Sequence, residues 1–408
     1  MPKQVLMYNE FGLSANLNIL IMIIKYFTDN DLYKFSVMYA IQRLYPWSYV
    51  KYEFINRGNN VFPAGFAQRL TEELTQMEKL KMTKKEKAFM EKKCYFFDPV
   101  FMDFLEGYRY DSGEVFVSQN EQGELSVVVE GYWYRTVLWE VPLMAIISEL
   151  YFKMANASPS DVESRAVKKA KMLAEIQADY SEFGTRRRFS FDVQDRVVGC
   201  LKEHSKQFFK GTSNIYLAMK HDTTPIGTMP HEWFMYHGAL YGYRAANIKA
   251  LEAWVEVFGG SLGITLTDTY TTDSFFESFS LKQAKLFDGL RCDSGDPIEF
   301  IDKTLAFYKQ NRIEAESKTI VFSDSLNLDV VKRIKKYVNN RLHDTYGIGT
   351  FFSNDVGVKP LNMVVKLTSV KSSPKTEFHQ AVKLSDVLGK NTGNLKEIEI
   401  CKMTLGLD

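Results

Sequence analysis

The sequence is poor in cysteine and has almost no excess of charge of either sign. Its 51 lysines and arginines against 50 aspartates and glutamates give a formal net charge of +1. This balance excludes the broad basic field by which proteins attract nucleic acids or membrane surfaces, so an anionic ligand must be bound by local positive charge. Without a Cys-x-x-Cys pair, the four cysteines indicate reduced thiols and a cytoplasmic protein rather than a disulfide framework or a zinc site: Cys94, Cys200, Cys292 and Cys401.

The start of the chain also lacks a long apolar run. The run at residues 17–24 is too short to span a bilayer, and no small-residue cleavage site follows it. We therefore expect no membrane partner. Because Met22 provides an alternative start, residues 1–21 are interpreted as a candidate upstream extension.

The first part of the chain, residues 1–155, mixes helical and strand-like patterns. With 408 residues, the chain has room for two domains. Apolar residues at helical spacing predict helices at Leu32–Leu44 and at 138–155, the second strongly apolar and buried. Alternation predicts a strand at 49–55, and two β-rich runs around Asn-Glu-Gln-Gly predict a hairpin at 115–130. We predict a mixed α+β domain here.

A different rhythm follows in residues 156–367, which we predict to form a second domain. A capping box of Ser160 and Glu163 predicts a helix that runs to about residue 180. Repeated strand, polar loop and helix then favour a parallel α/β barrel or a doubly wound sheet, in which ligands bind at the carboxyl ends of the strands. The predicted strands include 263–268, 318–324 and 361–367. Residues 368–408 are predicted to return to the first domain.

Three arginines follow a glycine turn in the segment Glu182-Phe-Gly-Thr-Arg-Arg-Arg188. Guanidinium groups bind phosphates and carboxylates in a bidentate manner, so one interpretation is an anion site. Phe183 would then be a flat wall for a planar anion. The alternative is a solvated basic helix start, and the pattern by itself favours neither interpretation.

One histidine stands in a distinctive loop, Gly227-Thr-Met-Pro-His231-Glu-Trp233. An isolated histidine is more often structural than catalytic. Here a Gly-Thr turn and a proline precede His231, and Glu232 follows it, so we expect this carboxylate to orient the imidazole and raise its nucleophilicity. Together with Gly211-Thr-Ser-Asn214, the loop also offers backbone N–H groups to an anion.

Acidic loops follow three predicted strands, at 267–273, 289–296 and 322–325. Carboxylates that converge at one barrel mouth can hold Mg²⁺ or ribose hydroxyls. Any one of them alone is better explained as a helix N-cap, and Asp296 before Pro297 is the clearest example. Gly347-Ile-Gly-Thr350 follows a further predicted strand, where barrels commonly bind phosphate, but it lacks the third glycine of a dinucleotide-binding loop.

Taken together and in this order, these motifs resemble those of the nicotinate phosphoribosyltransferase family. The resemblance begins at Thr28-Asp-Asn-Asp-Leu-Tyr-Lys34, which is similar to the family's Thr-Asp-x-Tyr-Lys motif with two additional residues. It continues through Glu-Phe-Gly-Thr-Arg-Arg, Gly-Thr-Ser-Asn, Gly-Thr-x-x-His-Glu-Trp, Gly-Leu-Arg-x-Asp-Ser-Gly-Asp, Phe-Ser-Asp and Gly-Ile-Gly-Thr. It covers residues 22–370 and implies an irregular α/β barrel with a separate α+β domain.

The resemblance implies a role for each matching residue. His231 is implied to become phosphorylated, with Glu232 as a second catalytic candidate. The residues implied in nicotinate binding are Tyr33, Phe183 (which stacks on the pyridine ring), Arg186, Thr228 and Arg291. The residues implied in binding phosphoribosyl pyrophosphate are Asp293, Ser323, Asp324, Gly349 and Thr350, and Asp293 is also a candidate Mg²⁺ ligand.

The resemblance also implies the reaction and the partners. Nicotinate would be joined to phosphoribosyl pyrophosphate in NAD salvage, with ATP as co-substrate, Mg²⁺ as cofactor, and a homodimer whose subunits share their active sites. Two alternatives remain open: a similar barrel that uses nicotinamide as the base, and a non-catalytic barrel that binds phosphorylated ligands.

Overall fold

The computed structural model describes residues 22–387 and 390–407, so the interpretation of residues 1–21 as an upstream extension lies outside the described residues. The helices are α1 (Leu32–Leu44), α2 (Phe66–Met77), α3 (Lys84–Lys93), α4 (Pro99–Gly107), α5 (Trp133–Thr136), α6 (Glu140–Met154), α7 (Val162–Glu175), α8 (Phe191–His204), α9 (Ile215–Lys220), α10 (His231–Tyr241), α11 (Tyr243–Phe258), α12 (Thr272–Ser278), α13 (Leu281–Leu286), α14 (Pro297–Gln310), α15 (Leu328–Val338), α16 (Thr350–Ser353) and α17 (Leu395–Leu405). Within the described residues, none of these helices is long and apolar enough to cross a membrane.

The strands form two separate sheets. They are β1 (Tyr49–Asn56), β2 (Val115–Gln119), β3 (Leu125–Tyr132), β4 (Asp179–Glu182), β5 (Phe209–Thr212), β6 (Thr224–Pro225), β7 (Ile264–Leu266), β8 (Gly289–Cys292), β9 (Thr319–Phe322), β10 (His343–Ile348), β11 (Met363–Lys371) and β12 (His379–Gln380). The first sheet has the order β12-β11-β1-β3-β2, and the second has the order β6-β5-β4-β10-β9-β8-β7.

The first sheet is antiparallel and confirms the strand and hairpin predicted near the start. β2 and β3 pair with Val115 opposite Val129, around the predicted turn. Alternate residues of β3 are buried, because one face of the strand lies on the core. The predicted helix Leu32–Leu44 is also confirmed, and α6 contains the predicted buried helix with its first turn at Glu140.

The second sheet is parallel throughout and curls into a half-barrel. β10, the last strand of this sheet along the chain, pairs with β4, the first one along the chain. The opening lies between β6 and β7, where the chain instead forms the consecutive helices α10 and α11. The predicted irregular α/β barrel with a separate α+β part is therefore confirmed.

Three local predictions are wrong. The strand predicted at 361–367 belongs to the other sheet: β11 is antiparallel to β1, with Val365 opposite Phe54, so the predicted domain boundary at residue 367 falls inside a strand. The capping box predicted at Ser160 does not form, because Asp161 occupies the N-cap position with φ of 53°. The helix ends at Glu175 rather than near residue 180, since β4 already begins at Asp179.

Candidate active site

The carboxyl ends of the parallel strands bring the predicted motifs to one mouth of the barrel. Asp268 follows β7, Asp293 follows β8 and Ser323 follows β9. The antiparallel sheet covers this mouth and encloses a cavity with it. Polar side chains that line the cavity include Tyr33, Tyr52, Arg57, Glu140, Arg186, His231, Glu232, Arg291, Asp293, Asp324, Lys366, Lys383 and Lys390.

His231 is held at the cavity wall through both ring nitrogens. It is the first residue of α10, directly after the extended Pro230. Its Nε2 lies 3.0 Å from Oδ2 of Asp293 and 3.1 Å from Nζ of Lys383, and its Nδ1 lies 3.2 Å from Oγ1 of Thr269. The side chain is 12% exposed, so the imidazole is oriented but remains accessible from the cavity.

The protonation state of this pair follows from burial and neighbouring charge. Burial is the larger cause and the ammonium of Lys383 the second, and together they lower the pKa of His231 to about 4. Burial alone raises the pKa of Asp293, but Arg291 and His231 outweigh it and hold this pKa well below its ordinary value. At neutral pH the pair is therefore a neutral imidazole beside an ionised Asp293, and the tautomer that donates Nε2–H to this carboxylate carries its lone pair on Nδ1.

We expect the imidazole of His231 to remain neutral down to about pH 4, because its charged form is poorly solvated and faces Lys383. An NMR titration that follows the resonance missing from His231→Ala checks this expectation. Lys383→Met removes the neighbouring positive charge and should move the midpoint upward. A wild-type midpoint near the ordinary value of about 6.5 would contradict the assignment.

Arg291 fixes three groups around the histidine pair. Its Nη2 donates to Oδ1 of Asp293 at 2.9 Å, and its Nη1 donates to the hydroxyl of Thr228 at 2.8 Å. Its Nε donates to the hydroxyl of Ser323 at 2.7 Å, and this hydroxyl in turn donates to Asp293. One hydrogen-bond network therefore joins Arg291, Asp293 and Ser323, which the sequence related only through separate motifs.

Glu232 does not contact the imidazole, contrary to the expectation that it orients His231. Its carboxylate accepts hydrogen bonds from Lys34 and from the hydroxyl of Tyr52 instead. The first turn of α10 turns the two neighbouring side chains in different directions, since successive helical residues do not share a face. Asp293 occupies the orienting position that was expected for Glu232.

Tyr33 and Arg186 meet at a carboxylate that the motifs did not include. The hydroxyl of Tyr33 lies 3.3 Å from Oε2 of Glu140, and Nη1 of Arg186 lies 3.1 Å from Oε1 of the same residue. Lys34, which is fully buried, forms ion pairs with both Glu140 and Glu232. All of these side chains come from a single chain.

Phe183 and Thr228 line a second cavity, inside the barrel. The side chain of Phe183 packs on Gly347, where a Cβ would lie only 2.3 Å from the ring, so this glycine makes room for the aromatic wall. Thr228 also accepts from Arg291, which lines the mouth, so this pair separates the two cavities.

Gly349 and Thr350 lie at the end of β10. Gly349 caps the short helix α16, which begins at Thr350. Within the described part of the chain, neither residue lines the mouth cavity. Their predicted contact with phosphoribosyl pyrophosphate stays a prediction.

The residues beside His231 fit a divalent cation. Ligand atoms of His231, Asp268 and Asp293 lie within 4.8 Å of one another. Oδ1 of Asp268 is buried and has no hydrogen-bond partner within the described residues, whereas Oδ2 accepts from Lys383 at 3.0 Å. Carboxylate oxygens are the ligands that Mg²⁺ prefers, and Asp268 and Asp293 both offer them.

Several cavity residues were missed because their positions depend on long-range pairing. Lys366 lies on the misassigned strand β11, and Lys383 lies in the segment that follows β12. Burial is the larger cause and the charge of Lys383 the second, and together they lower the pKa of Lys366 to about 7. The sequence does carry one signal for Glu140, because a charged residue at the start of a strongly apolar segment indicates a buried charge that needs partners.

Comparison with known proteins decides the family. The model of the nicotinate phosphoribosyltransferase family matches residues 178–404, and the model of its N-terminal domain matches residues 28–148. The chain belongs to the nicotinate phosphoribosyltransferase family. The family resemblance seen in the motifs is thus confirmed.

Individual members of the family match over nearly the whole chain. The nicotinate phosphoribosyltransferase of Desulforapulum autotrophicum is 51% identical and covers 91% of this chain and 96% of its own length. That of Chromohalobacter salexigens is 47% identical and covers 93% of this chain and 97% of its own length. The crystal structure of the Porphyromonas gingivalis enzyme matches with a TM-score of 0.93 at 44% identity, over 94% of this chain and 100% of that one.

Proposed function

We propose that this chain catalyses the reaction for which its family is named, forming nicotinate mononucleotide and pyrophosphate from nicotinate and phosphoribosyl pyrophosphate in NAD salvage. We further propose that ATP is hydrolysed to ADP and phosphate through His231. The observation that carries the proposal is the position of His231, bound to Asp293, in the same cavity as Tyr33 and Arg186.

The bond-forming step needs positioning and charge stabilisation rather than a general base. The unprotonated pyridine nitrogen attacks the anomeric carbon, a C–N bond forms, and the C–O bond to pyrophosphate breaks. Positive charge develops on the ribose, where Asp324 and Asp293 favour it, and negative charge leaves with pyrophosphate. Arg57 and Lys390 face the cavity and supply the local positive charge that the net charge of the chain does not provide, while Lys366, with its pKa lowered to about 7, is only partly protonated near neutral pH.

The coupling to ATP uses the unprotonated Nδ1 of His231. This nitrogen attacks the γ-phosphorus, an N–P bond forms, and the bond from phosphorus to the oxygen of ADP breaks. The phosphoryl group adds about −1.5 to −2 charges to the cavity, which changes how it binds a pyrophosphate-bearing substrate. Water later cleaves the N–P bond. Asp268 and Asp293 would hold Mg²⁺ here, and the bound ion would neutralise part of the phosphate charge.

The guanidinium of Arg186 supports nicotinate as the base. One amino group binds Glu140, while the side chain is 35% exposed and lines the cavity. A guanidinium in this position can pair with a pyridine carboxylate, whereas a neutral carboxamide gains no ionic contact from it.

Pyrophosphate release tests the proposal against its alternatives. Reactions contain phosphoribosyl pyrophosphate, ATP and Mg²⁺ with either nicotinate or nicotinamide. We expect release with nicotinate and at least tenfold slower release with nicotinamide. Equal rates would favour nicotinamide as a second base, and no release with either base would favour a non-catalytic barrel.

The family resemblance and the free cysteines suggest where the enzyme is located and how it assembles. We propose a cytoplasmic homodimer. One chain already brings Tyr33, Arg186 and His231 to one cavity, so these three contacts are complete before any dimer forms. Light scattering of the purified chain at about twice its mass of 47.1 kDa would support the dimer.

A further inference from the structure

Glu140 joins two side chains that are distant in sequence. It begins α6 at the cavity edge, and its side chain is 11% exposed. Oε2 accepts from Tyr33 in α1, and Oε1 accepts from Arg186 in the loop after β4. No other described side chain is hydrogen-bonded to both of these residues.

The charge on Glu140 is secured by its partners. Burial alone would raise its pKa, but Lys34 and Arg186 outweigh burial and lower the pKa to about 2. The carboxylate is therefore ionised at any pH at which the enzyme works. An ionised acceptor holds a guanidinium through a strong, directional hydrogen bond, so it fixes where the remaining donors of Arg186 point.

We propose that Glu140 is the positioning residue of the base subsite: it holds the Arg186 guanidinium in the orientation that receives the carboxylate of nicotinate, and by accepting from the Tyr33 hydroxyl it fixes the Tyr33 side chain beside that subsite. This inference rests on the proposed function, because it specifies how the same cavity selects its base. Glu140 acts through Arg186 and Tyr33 and takes no part in bond making.

The structure separates this role from phosphorylation of His231. Glu140 and Glu232 share Lys34, but Glu232 also accepts from Tyr52, whose hydroxyl accepts from Trp133 at 2.9 Å. Loss of the Glu140 charge therefore leaves Glu232 and the start of α10 with their other contacts. The effect should concentrate on the base.

Glu140→Gln tests the proposal because it keeps the shape and removes the charge. We expect the KM for nicotinate to rise at least tenfold, with the KM for phosphoribosyl pyrophosphate and the labelling of His231 by ATP changed less than threefold. The rate ratio of nicotinate to nicotinamide should fall. Asp195→Asn is the matched control: this carboxylate is 16% exposed and pairs with Lys220 and His221 away from the cavity, so its loss should leave both KM values unchanged.

Glu140→Asp keeps the charge on a shorter side chain and should give an intermediate KM for nicotinate, including if Glu140→Gln fails to fold. An unchanged KM for nicotinate in either folded variant would overturn the proposal, as would an equal rise in both KM values. If the wild-type chain forms no nicotinate mononucleotide, the proposed function itself has failed, which is a distinct result.

Discussion

His231→Ala is expected to take up no phosphate from γ-labelled ATP, and to form nicotinate mononucleotide at the same rate with and without ATP. The variant removes the only described imidazole in the mouth cavity and with it the unprotonated Nδ1. Asp293 and Arg291 keep their mutual hydrogen bond at 2.9 Å, so binding of the other substrates should persist. Two measurements check this result: the radiolabel that stays bound to the protein after the protein is separated from ATP at alkaline pH, and the rate of nicotinate mononucleotide formation.

The matched control for this variant is His221→Ala. His221 also contacts a carboxylate, at 2.8 Å from Asp195, but it does not line the mouth cavity. Its loss should leave both label and ATP stimulation in place. Labelling of His231→Ala at the wild-type level would show that another residue accepts the phosphoryl group.

Arg291→Ala should lower kcat/KM for nicotinate about a hundredfold. Its guanidinium donates to Asp293, Thr228 and Ser323, and the variant leaves all three acceptors without this partner. The loss of one hydrogen bond to a charged group costs about 1.5–3 kcal/mol, and about 2.7 kcal/mol corresponds to a hundredfold in rate. Steady-state kinetics with each substrate varied in turn give the value.

Two variants show whether the loss comes from the network. Arg291→Lys keeps the charge but not the three-way geometry, so it should recover less than half of the lost free energy. Arg196→Ala removes an exposed arginine that pairs with Glu163, and should leave the kinetics unchanged because such surface pairs contribute little. Unaltered kinetics in Arg291→Ala would remove this residue from the site.

Local patterns were sufficient for much of the fold and for the centre of the site. α1 and the hairpin β2–β3 follow from spacing alone, because each buries one face on the core. The convergence of the acidic loops could be expected, because acidic loops follow predicted strands and parallel strands end at one mouth. The contact of Asp293 with His231 was not predicted, since Glu232 was expected in that place.

What the sequence could not show depends on pairing across the chain. The run 361–367 is apolar enough for a buried parallel strand, and only its partner β1 reveals that Lys366 faces the cavity. The side-chain direction of Glu232 likewise depends on Lys34 and Tyr52, both about 180 or more residues away. Glu140 is positioned by the docking of α6 between two segments that share no motif with it.

The most direct test measures nicotinate mononucleotide and ADP in the same reaction of the wild-type chain, with and without ATP. We predict that nicotinate mononucleotide forms from nicotinate, that ADP accumulates alongside it, and that omission of ATP slows the reaction. Absence of nicotinate mononucleotide under all conditions would contradict the proposed activity. Its formation at the same rate without ATP would contradict the role proposed for His231.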